Sequence, residues 1–476
     1  MAALRNAHAI WRGPGAGCSQ TSRLDLQSPL ASVATVTVTT PLRVVPSPSR
    51  LGETFVIVGA GQAGVQAAST LRERGFRGRL VVLGDEGRLP YMRPPLSKKF
   101  LSAGQSEDRL YFRPAAYFEA NGIEVRAGMA VQGIDRKVGR LRLGGGVTLE
   151  YDRLLLATGS RPRALRVPGA TDPRVHYLRT LDDALRLRGA LRPGSHLAVV
   201  GAGYVGLEVA ATAVTAGVKV TLLERDDRVL GRVTTPMLSE FIAKVHRSRG
   251  VDLRCASSVA GFSGSAHLQV ELDRGSPLDV DAAVVGIGAV PNDELAREAG
   301  LTCDDGVLVD RHGRTSDPAI FAAGDCTRHE NSLYARRLRL ESVQNAIDQA
   351  TVAATCMGGG NLSYCRVPWF WSNQYEFKLQ SAGLFEGYDE VIERGARSEG
   401  RFALLYLKAG ILIGVDAVNM TAEYIAARRA IAARGELAVD VETSPPVKLR
   451  VPATQIAAAR TSPSCQVEVA ERSVAR

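Results

Sequence analysis

Thr54-Phe55-Val56-Ile57-Val58-Gly59-Ala60-Gly61-Gln62-Ala63-Gly64 decides the fold of this chain: an apolar run meets three glycines in the order G-x-G-x-x-G. Four consecutive apolar residues ending at glycine read as a strand buried on both faces, and the stretch from Gln62 to Arg74 reads as a helix. Gly75-Phe76-Arg77-Gly78 then turns the chain into a second strand, Leu80 to Leu83, closed by Gly84-Asp85-Glu86. Strand, glycine turn, helix, strand, acid is the sequence form of a Rossmann unit. Its physics is simple: glycines allow a tight turn and close helix packing, while free N–H groups at the helix start hold a pyrophosphate.

About 140 residues later the order returns, with Leu197 to Val200, then Gly201-Ala202-Gly203-Tyr204-Val205-Gly206, a helix through Ala216, and Lys219 to Leu223 ending at Glu224. A single glycine fingerprint is weak evidence, but two in the same setting support each other. Asp85 and Glu224 are each expected to accept hydrogen bonds from an adenosine ribose, although either alone reads equally as a solvated strand end. Between the fingerprints, Asp152 to Ala157 runs into Thr158-Gly159-Ser160-Arg161-Pro162, and Ala282 to Val285 repeats the pattern before Gly286-Ile287-Gly288-Ala289-Val290-Pro291. These junctions predict that the second nucleotide fold is inserted into the first. From about Arg366 the texture becomes aromatic and alternating, with Trp369-Phe370-Trp371, strands at Phe402–Leu407 and Ile411–Val415, and a helix from Ala422 to Arg434.

The expected class is therefore α/β, with two Rossmann-like domains and a small C-terminal α+β domain. The expected boundaries are a disordered leader at 1–53, a first nucleotide domain at 54–160 and 286–365, a second at 161–285, the C-terminal domain at 366–450 and a mobile tail at 451–476.

Composition limits the function classes. The 476 residues carry a formal net charge of +10, of which residues 1–53 hold about +3 and residues 451–476 about +1, with no Lys/Arg block of the kind that tracks nucleic-acid phosphates. A mildly basic body fits an acidic protein partner better than DNA. Seven scattered cysteines show no C-x-x-C or longer metal-clamping spacing, and the segment Gln62 to Arg74 has none. They read as reduced thiols of a cytoplasmic protein, and thiol-redox chemistry beside the first fingerprint is excluded. No apolar stretch reads as a membrane span, since Leu197 to Leu223 is broken by Glu208 and Lys219. The first 50 residues, with five arginines and one acid, resemble an organelle transit peptide in composition; an unstructured leader or a start codon placed too early is the preferred reading.

Two dinucleotide sites without a metal or nucleophile constellation point to redox traffic between bound cofactors. Three further segments, Leu89-Pro90-Tyr91-Met92-Arg93-Pro94-Pro95-Leu96-Ser97-Lys98, Ser316-Asp317-Pro318 with Ala322-Ala323-Gly324-Asp325, and Pro368-Trp369-Phe370-Trp371-Ser372-Asn373-Gln374-Tyr375, resemble the oxygenase-coupled FAD-dependent NAD(P)H:ferredoxin reductases. That group, within the glutathione-reductase-like superfamily, serves bacterial cytochromes P-450 and ring-hydroxylating dioxygenases. The resemblance runs from about Thr54 to Val451. Asn373 stands where the family often has Asp.

The resemblance implies FAD at Gly59, Gly61, Ala63 and Gly64, its ribose near Asp85, and further cofactor contacts from Lys98, Val131, Arg179 and Asp325. It implies that Val343 begins a helix aimed at the flavin pyrimidine, that Trp369 and Trp371 close the flavin edge, and that Lys98 pairs with Glu208 beside the flavin. NAD is assigned to Gly201, Gly203, Gly206, Glu224 and Gly288. Without that context, two tryptophans in an apolar run are more often core, and Asp325 is as often a cap.

The implied activity is hydride uptake from NADH followed by single-electron delivery to a 2Fe-2S ferredoxin, by a monomer or weak homodimer. Alternative acceptors are rubredoxin, a quinone or dioxygen; a redox sensor similar to apoptosis-inducing factor is the rival from another class. Arg336, Arg337 and Arg339 are the candidate docking cations. Glu224, at the strand end, favours NADH, while Arg225 beside it is the feature that would favour a 2'-phosphate.

Overall fold

The computed structural model describes residues 52–102 and 104–433; the expected leader, tail and last part of the C-terminal domain lie outside the described residues. A five-stranded parallel sheet is built in the order Ile320–Ala322, Arg153–Leu156, Thr54–Val58, Arg79–Leu83 and Ile123–Arg126. Apart from the Ile123–Arg126 edge, where Glu124 and Arg126 alternate with apolar residues, its strands are nearly continuous apolar runs because both faces are covered. On one face the Gln62–Glu73 and Val343–Met357 helices enclose Ile57, Ala67, Leu71, Phe321 and Ala350. On the other, Val56, Leu154 and Ile320 pack against a small three-stranded sheet through Leu141, Leu143 and Leu149.

A second five-stranded parallel sheet repeats the plan, in the order Asp252–Arg254, Lys219–Leu223, His196–Val200, Ala282–Val285 and Val175–Tyr177. The Tyr204–Thr215 and Pro236–Ser248 helices cover one face, and the antiparallel strands Val259–Ser263, Leu268–Leu272 and Leu278–Val280 cover the other. The chain crosses between the two sheets at Ser160–Pro162 and Ala289–Pro291, and these crossings pair with each other antiparallel.

The third sheet is antiparallel, in the order Trp369–Gln374, Phe377–Gly383, Ile411–Val418, Arg401–Lys408 and Glu390–Ala396, with the Thr421–Ala433 helix packed on one side through Tyr424, Ala427 and Ile431. Ala409 and Gly410 both take positive φ (49° and 74°) in the turn between its two longest strands, as a tight two-residue hairpin demands. The α/β class with a C-terminal α+β unit is as expected. The three small three-stranded sheets, one of them built from Val307–Val309, Thr327–Asn331 and Arg336–Leu338, and the Glu390–Ala396 strand were not: their short strands are interrupted by charge and glycine and carry little periodic signal. No described helix is long and apolar enough to cross a membrane.

Candidate functional site

In each glycine loop the three glycines meet three different demands. Gly59 has φ +115°, and a Cβ there would lie 2.1 Å from the Ala157 carbonyl oxygen; a Cβ on Gly64 would lie 1.9 Å from that of Gly59. The middle glycine is different. A Cβ on Gly61 would meet nothing within 4 Å, and Gly61 caps the Gln62–Glu73 helix in ordinary extended geometry with no side chain on the helix N–H groups. Free donors facing open space suit a pyrophosphate. The second loop matches: a Cβ on Gly201 (φ +101°) would lie 2.6 Å from the Gly286 carbonyl oxygen, one on Gly206 would lie 2.0 Å from that of Gly201, and Gly203 leaves the Tyr204–Thr215 helix start open.

The acids are not equivalent. Gly59 N–H donates to Leu83 O and Gly201 N–H to Leu223 O, both at 2.8 Å, which aligns the two folds. Glu224 directly follows Leu223, and its carboxylate accepts from Ala202 N–H (2.6 Å) and Asp226 N–H (3.0 Å). In the first fold that place belongs to Gly84, where a Cβ would lie 2.8 Å from that of Ala60. Asp85 stands one residue further on, exposed, at the rim of the cavity described next. Glu86 is taken up by Arg93 (2.7 Å) and the Tyr91 hydroxyl.

One cavity is lined by Gly59, Gly61 and Ala63, by Asp85, Lys98, Arg179 and Asp325, and by Val343, Phe370 and Trp371. Tyr204, Val205 and Glu208, on the first two turns of the helix after the second glycine loop, also line it. Lys98 Nζ donates to Glu208 Oε2 at 2.6 Å, and Glu208 is buried with further donors in Ser97 (2.6 Å) and Ser372 (2.7 Å). Asp325 accepts from Ser160 Oγ (3.0 Å) and faces Arg179 at 3.4 Å; burial pushes its carboxyl up while Arg179 pulls it back. The helix from Val343 is capped by Ser342, whose hydroxyl accepts from Asn345 N–H, and its positive end opens on the cavity.

Of the residues predicted at the first site, Gly64, Val131 and Trp369 do not line this cavity, nor do Gly201, Gly203, Gly206, Glu224 and Gly288 of the second. Val131 starts a strand and packs against the core behind the first sheet, away from the cavity wall; Gly288 (φ +109°) lies beside Arg232 near the second glycine loop, in the Gly286–Gly288 turn. Trp371 reaches the cavity, and Trp369, its ring 5.6 Å away, packs instead on Tyr424 and under Arg428. Among the described residues no group of His, Cys, Asp and Glu could hold a metal.

The pyridine nucleotide-disulphide oxidoreductase signature matches residues 53–350, and a reductase C-terminal signature matches 369–452. The chain belongs to the pyridine nucleotide-disulphide oxidoreductase family. Rhodocoxin reductase of Rhodococcus erythropolis is 43% identical over 380 residues, 79% of this chain and 89% of that protein. Putidaredoxin reductase of Pseudomonas putida is 42% identical over 389 residues, 80% of this chain and 92% of that protein. The covalent putidaredoxin reductase–putidaredoxin complex superposes with a TM-score of 0.81 at 40% identity, covering 87% of this chain and 100% of that one. This oxidoreductase nevertheless has no cysteine on its first helix, and its described cysteines are free thiols.

Sequence reading missed several residues of this oxidoreductase's cavity. Phe370 lines it and packs on Tyr204 at 4.4 Å, and the Glu86–Arg93 pair holds its wall, Arg93 also donating to the Arg179 carbonyl at 2.7 Å. No signal in the sequence singled out Phe370: in Trp369–Gln374 it shares a face with Ser372 and Gln374, opposite the tryptophans, yet both Phe370 and Trp371 line the cavity.

Proposed function

We propose that the chain is an FAD-dependent NADH:ferredoxin reductase that delivers electrons singly to a 2Fe-2S ferredoxin serving an oxygenase. The observation that carries this reading is that the cavity lined by the first glycine loop is also walled by Tyr204, Val205 and Glu208, on the helix that starts at the second glycine loop, so the second nucleotide fold reaches the space that the first one opens. The names of the relatives support it. Bound FAD would supply the two-electron to one-electron conversion.

The chain's own residues then bind and orient. Gly59, Gly61 and Gly64 with the first helix start hold the FAD pyrophosphate, Asp85 stands at its ribose, and Asp325, fixed by Ser160 and Arg179, takes the ribityl chain. The Val343 helix start favours negative charge on the flavin pyrimidine. Lys98, held by Glu208, sits at the ring. Gly201, Gly203, Gly206 and Glu224 hold NADH. Geometry and lost entropy account for the transfer, so no side chain need act as acid or base.

For the acceptor, we assign the face around Trp369 and Arg428. Arg336, Arg337 and Arg339, the cations singled out from sequence, are each paired with a carboxylate, of Glu386, of Glu330 and of Asp305 and Glu341 respectively. The Arg428 guanidinium lies 5.5 Å from the Trp369 ring, next to the Trp371 that lines the cavity. An acidic ferredoxin fits it. We further propose that the NAD module is residues 161–285, set into an FAD module of 54–160 and 286–365, and that the protein works in the cytoplasm as a monomer or weak homodimer.

Rapid mixing tests the reading. NADH should bleach the bound flavin, and an oxygenase-type ferredoxin should reoxidise it far faster than rubredoxin, a quinone or dioxygen. Fastest reoxidation by rubredoxin, a quinone or dioxygen would reassign the acceptor. Negligible turnover with every ferredoxin would point to a sensor.

A further inference from the structure

A line of buried polar groups runs from Lys98 away from the cavity, and the reaction outlined above does not use its far end. Ser372 Oγ donates to Glu208 Oε1 (2.7 Å), Gln374 Nε2 donates to Ser372 Oγ (3.1 Å), His246 Nε2 lies 2.9 Å from Gln374 Oε1, and the Tyr375 hydroxyl lies 3.3 Å from His246 Nδ1. Glu208, Ser372, Gln374 and His246 are 4%, 0%, 3% and 0% exposed. Four such groups in a row carry a desolvation cost that apolar side chains would not, so a wholly structural account is the poorer one.

The direction of every bond in the line follows from one charge. A carboxylate beside a lysine only accepts, so the single Ser372 proton goes to Glu208, and Ser372 must accept from its other neighbour. That neighbour is therefore the Gln374 amide nitrogen, which turns the Gln374 oxygen to His246 and requires a proton on Nε2. Burial lowers the His246 pKa, which keeps the ring neutral with that one N–H, and leaves Nδ1 to accept from Tyr375. The Gln374 amide passes no proton under these conditions, so the line orients groups and does not conduct.

The line also joins four separate pieces of chain: the Tyr204–Thr215 and Pro236–Ser248 helices of the second nucleotide fold, the Trp369–Gln374 strand of the C-terminal sheet, and the proline segment ending in Lys98. We propose that Ser372, Gln374 and His246 are positioning residues, a one-directional hydrogen-bond relay that fixes the Glu208 carboxylate and, through it, Lys98 at the flavin during reduction by NADH. The inference rests on the reading of the cavity as a flavin site.

The test is a double-mutant cycle on the FAD-loaded full chain, read as the single-turnover rate of flavin reduction at saturating NADH. Gln374→Leu should slow reduction about tenfold, the size expected when a hydrogen-bond chain to a charged group is broken. Bound flavin and the NADH concentration for half-maximal rate should stay as in the unmutated protein. In a Glu208→Gln background the same substitution should change the rate by less than about twofold, because the relay acts through that carboxylate. Ser372→Ala, a smaller change, should behave alike and serves if Gln374→Leu does not fold. Equal slowing in both backgrounds, or no slowing by either substitution, overturns the relay. A chain that binds no FAD would instead overturn the proposed function, and bound-flavin absorbance tells the two failures apart.

Discussion

Gly61→Val separates cofactor binding from folding, because the space a side chain would enter at Gly61 is empty of protein. The added Cβ meets nothing within 4 Å, and φ −86°, ψ −164° is extended backbone that valine adopts readily. Stability of the flavin-free protein should therefore change by no more than about 0.5 kcal/mol, as for other substitutions without a buried contact. The same atoms block approach of a pyrophosphate to the helix start. Loss of two charge-assisted N–H bonds, at roughly 1.5 to 3 kcal/mol each, weakens FAD binding by at least about 100-fold. Gly64→Ala is the contrasting variant: its Cβ would lie 1.9 Å from the Gly59 carbonyl oxygen, so it should unfold the first domain along with losing flavin. Flavin absorbance of the purified proteins, FAD titration of the stripped forms and their thermal melts measure both effects. A Gly61→Val protein that binds FAD within about threefold of normal, or melts as early as Gly64→Ala, would refute the reasoning.

Glu208→Gln should slow flavin reduction or weaken the long-wavelength charge-transfer band with NAD while FAD stays bound; stopped-flow absorbance checks both. NADH should be preferred over NADPH by at least roughly tenfold in kcat/KM, about 1.4 kcal/mol, because two backbone N–H groups fix Glu224 whereas the Arg225 side chain is 77% exposed; steady-state kinetics of Glu224→Ala should show that gap narrowed by poorer use of NADH. Arg428→Glu should slow ferredoxin reduction and flatten its dependence on salt without altering ferricyanide reduction, as measured across an ionic-strength series. Asp416→Ala, which strips a buried acceptor from the Thr234, Ser381 and Tyr406 hydroxyls, should destabilise by about 3 kcal/mol or more, seen as a melting temperature several degrees lower.

The glycine loops were legible because their demands are local: a positive φ at Gly59 and Gly201, and close packing at Gly64 and Gly206, leave a pattern within six residues. The acid after the strand was legible only in part. Counting from the last glycine does not fix where a strand ends, so Asp85 and Glu224 looked alike although Gly84 holds the place of Glu224. The Lys98–Glu208 pair spans 110 residues and came from family resemblance, since no spacing rule reaches that far. His246 and Gln374, 128 residues apart, left no signal at all, for a lone histidine on an amphipathic helix reads as ordinary surface or core. Two of the three arginines from Arg336 to Arg339 have partners that are remote in sequence, Glu386 at 50 residues from Arg336 and Asp305 at 34 from Arg339, which is why they read as free cations.

The two crossing strands, Ser160–Pro162 and Ala289–Pro291, lie side by side, with Ala289 opposite Pro162 and Pro291 opposite Ser160. Everything between them, from Arg163 to Gly288, is thus a cassette whose entry and exit are neighbours, tied once more where Arg163 N–H donates to the Gly288 carbonyl at 2.9 Å. A cassette with adjoining ends is exchangeable: another nucleotide module can be spliced at the same two positions without disturbing the strand order of the sheet that receives it. Nicotinamide preference and flavin chemistry can therefore diverge separately in such a chain. The residues that reach out of the cassette have to change in step, Glu208 toward Lys98, and Thr234, Phe241 and His246 toward the C-terminal sheet.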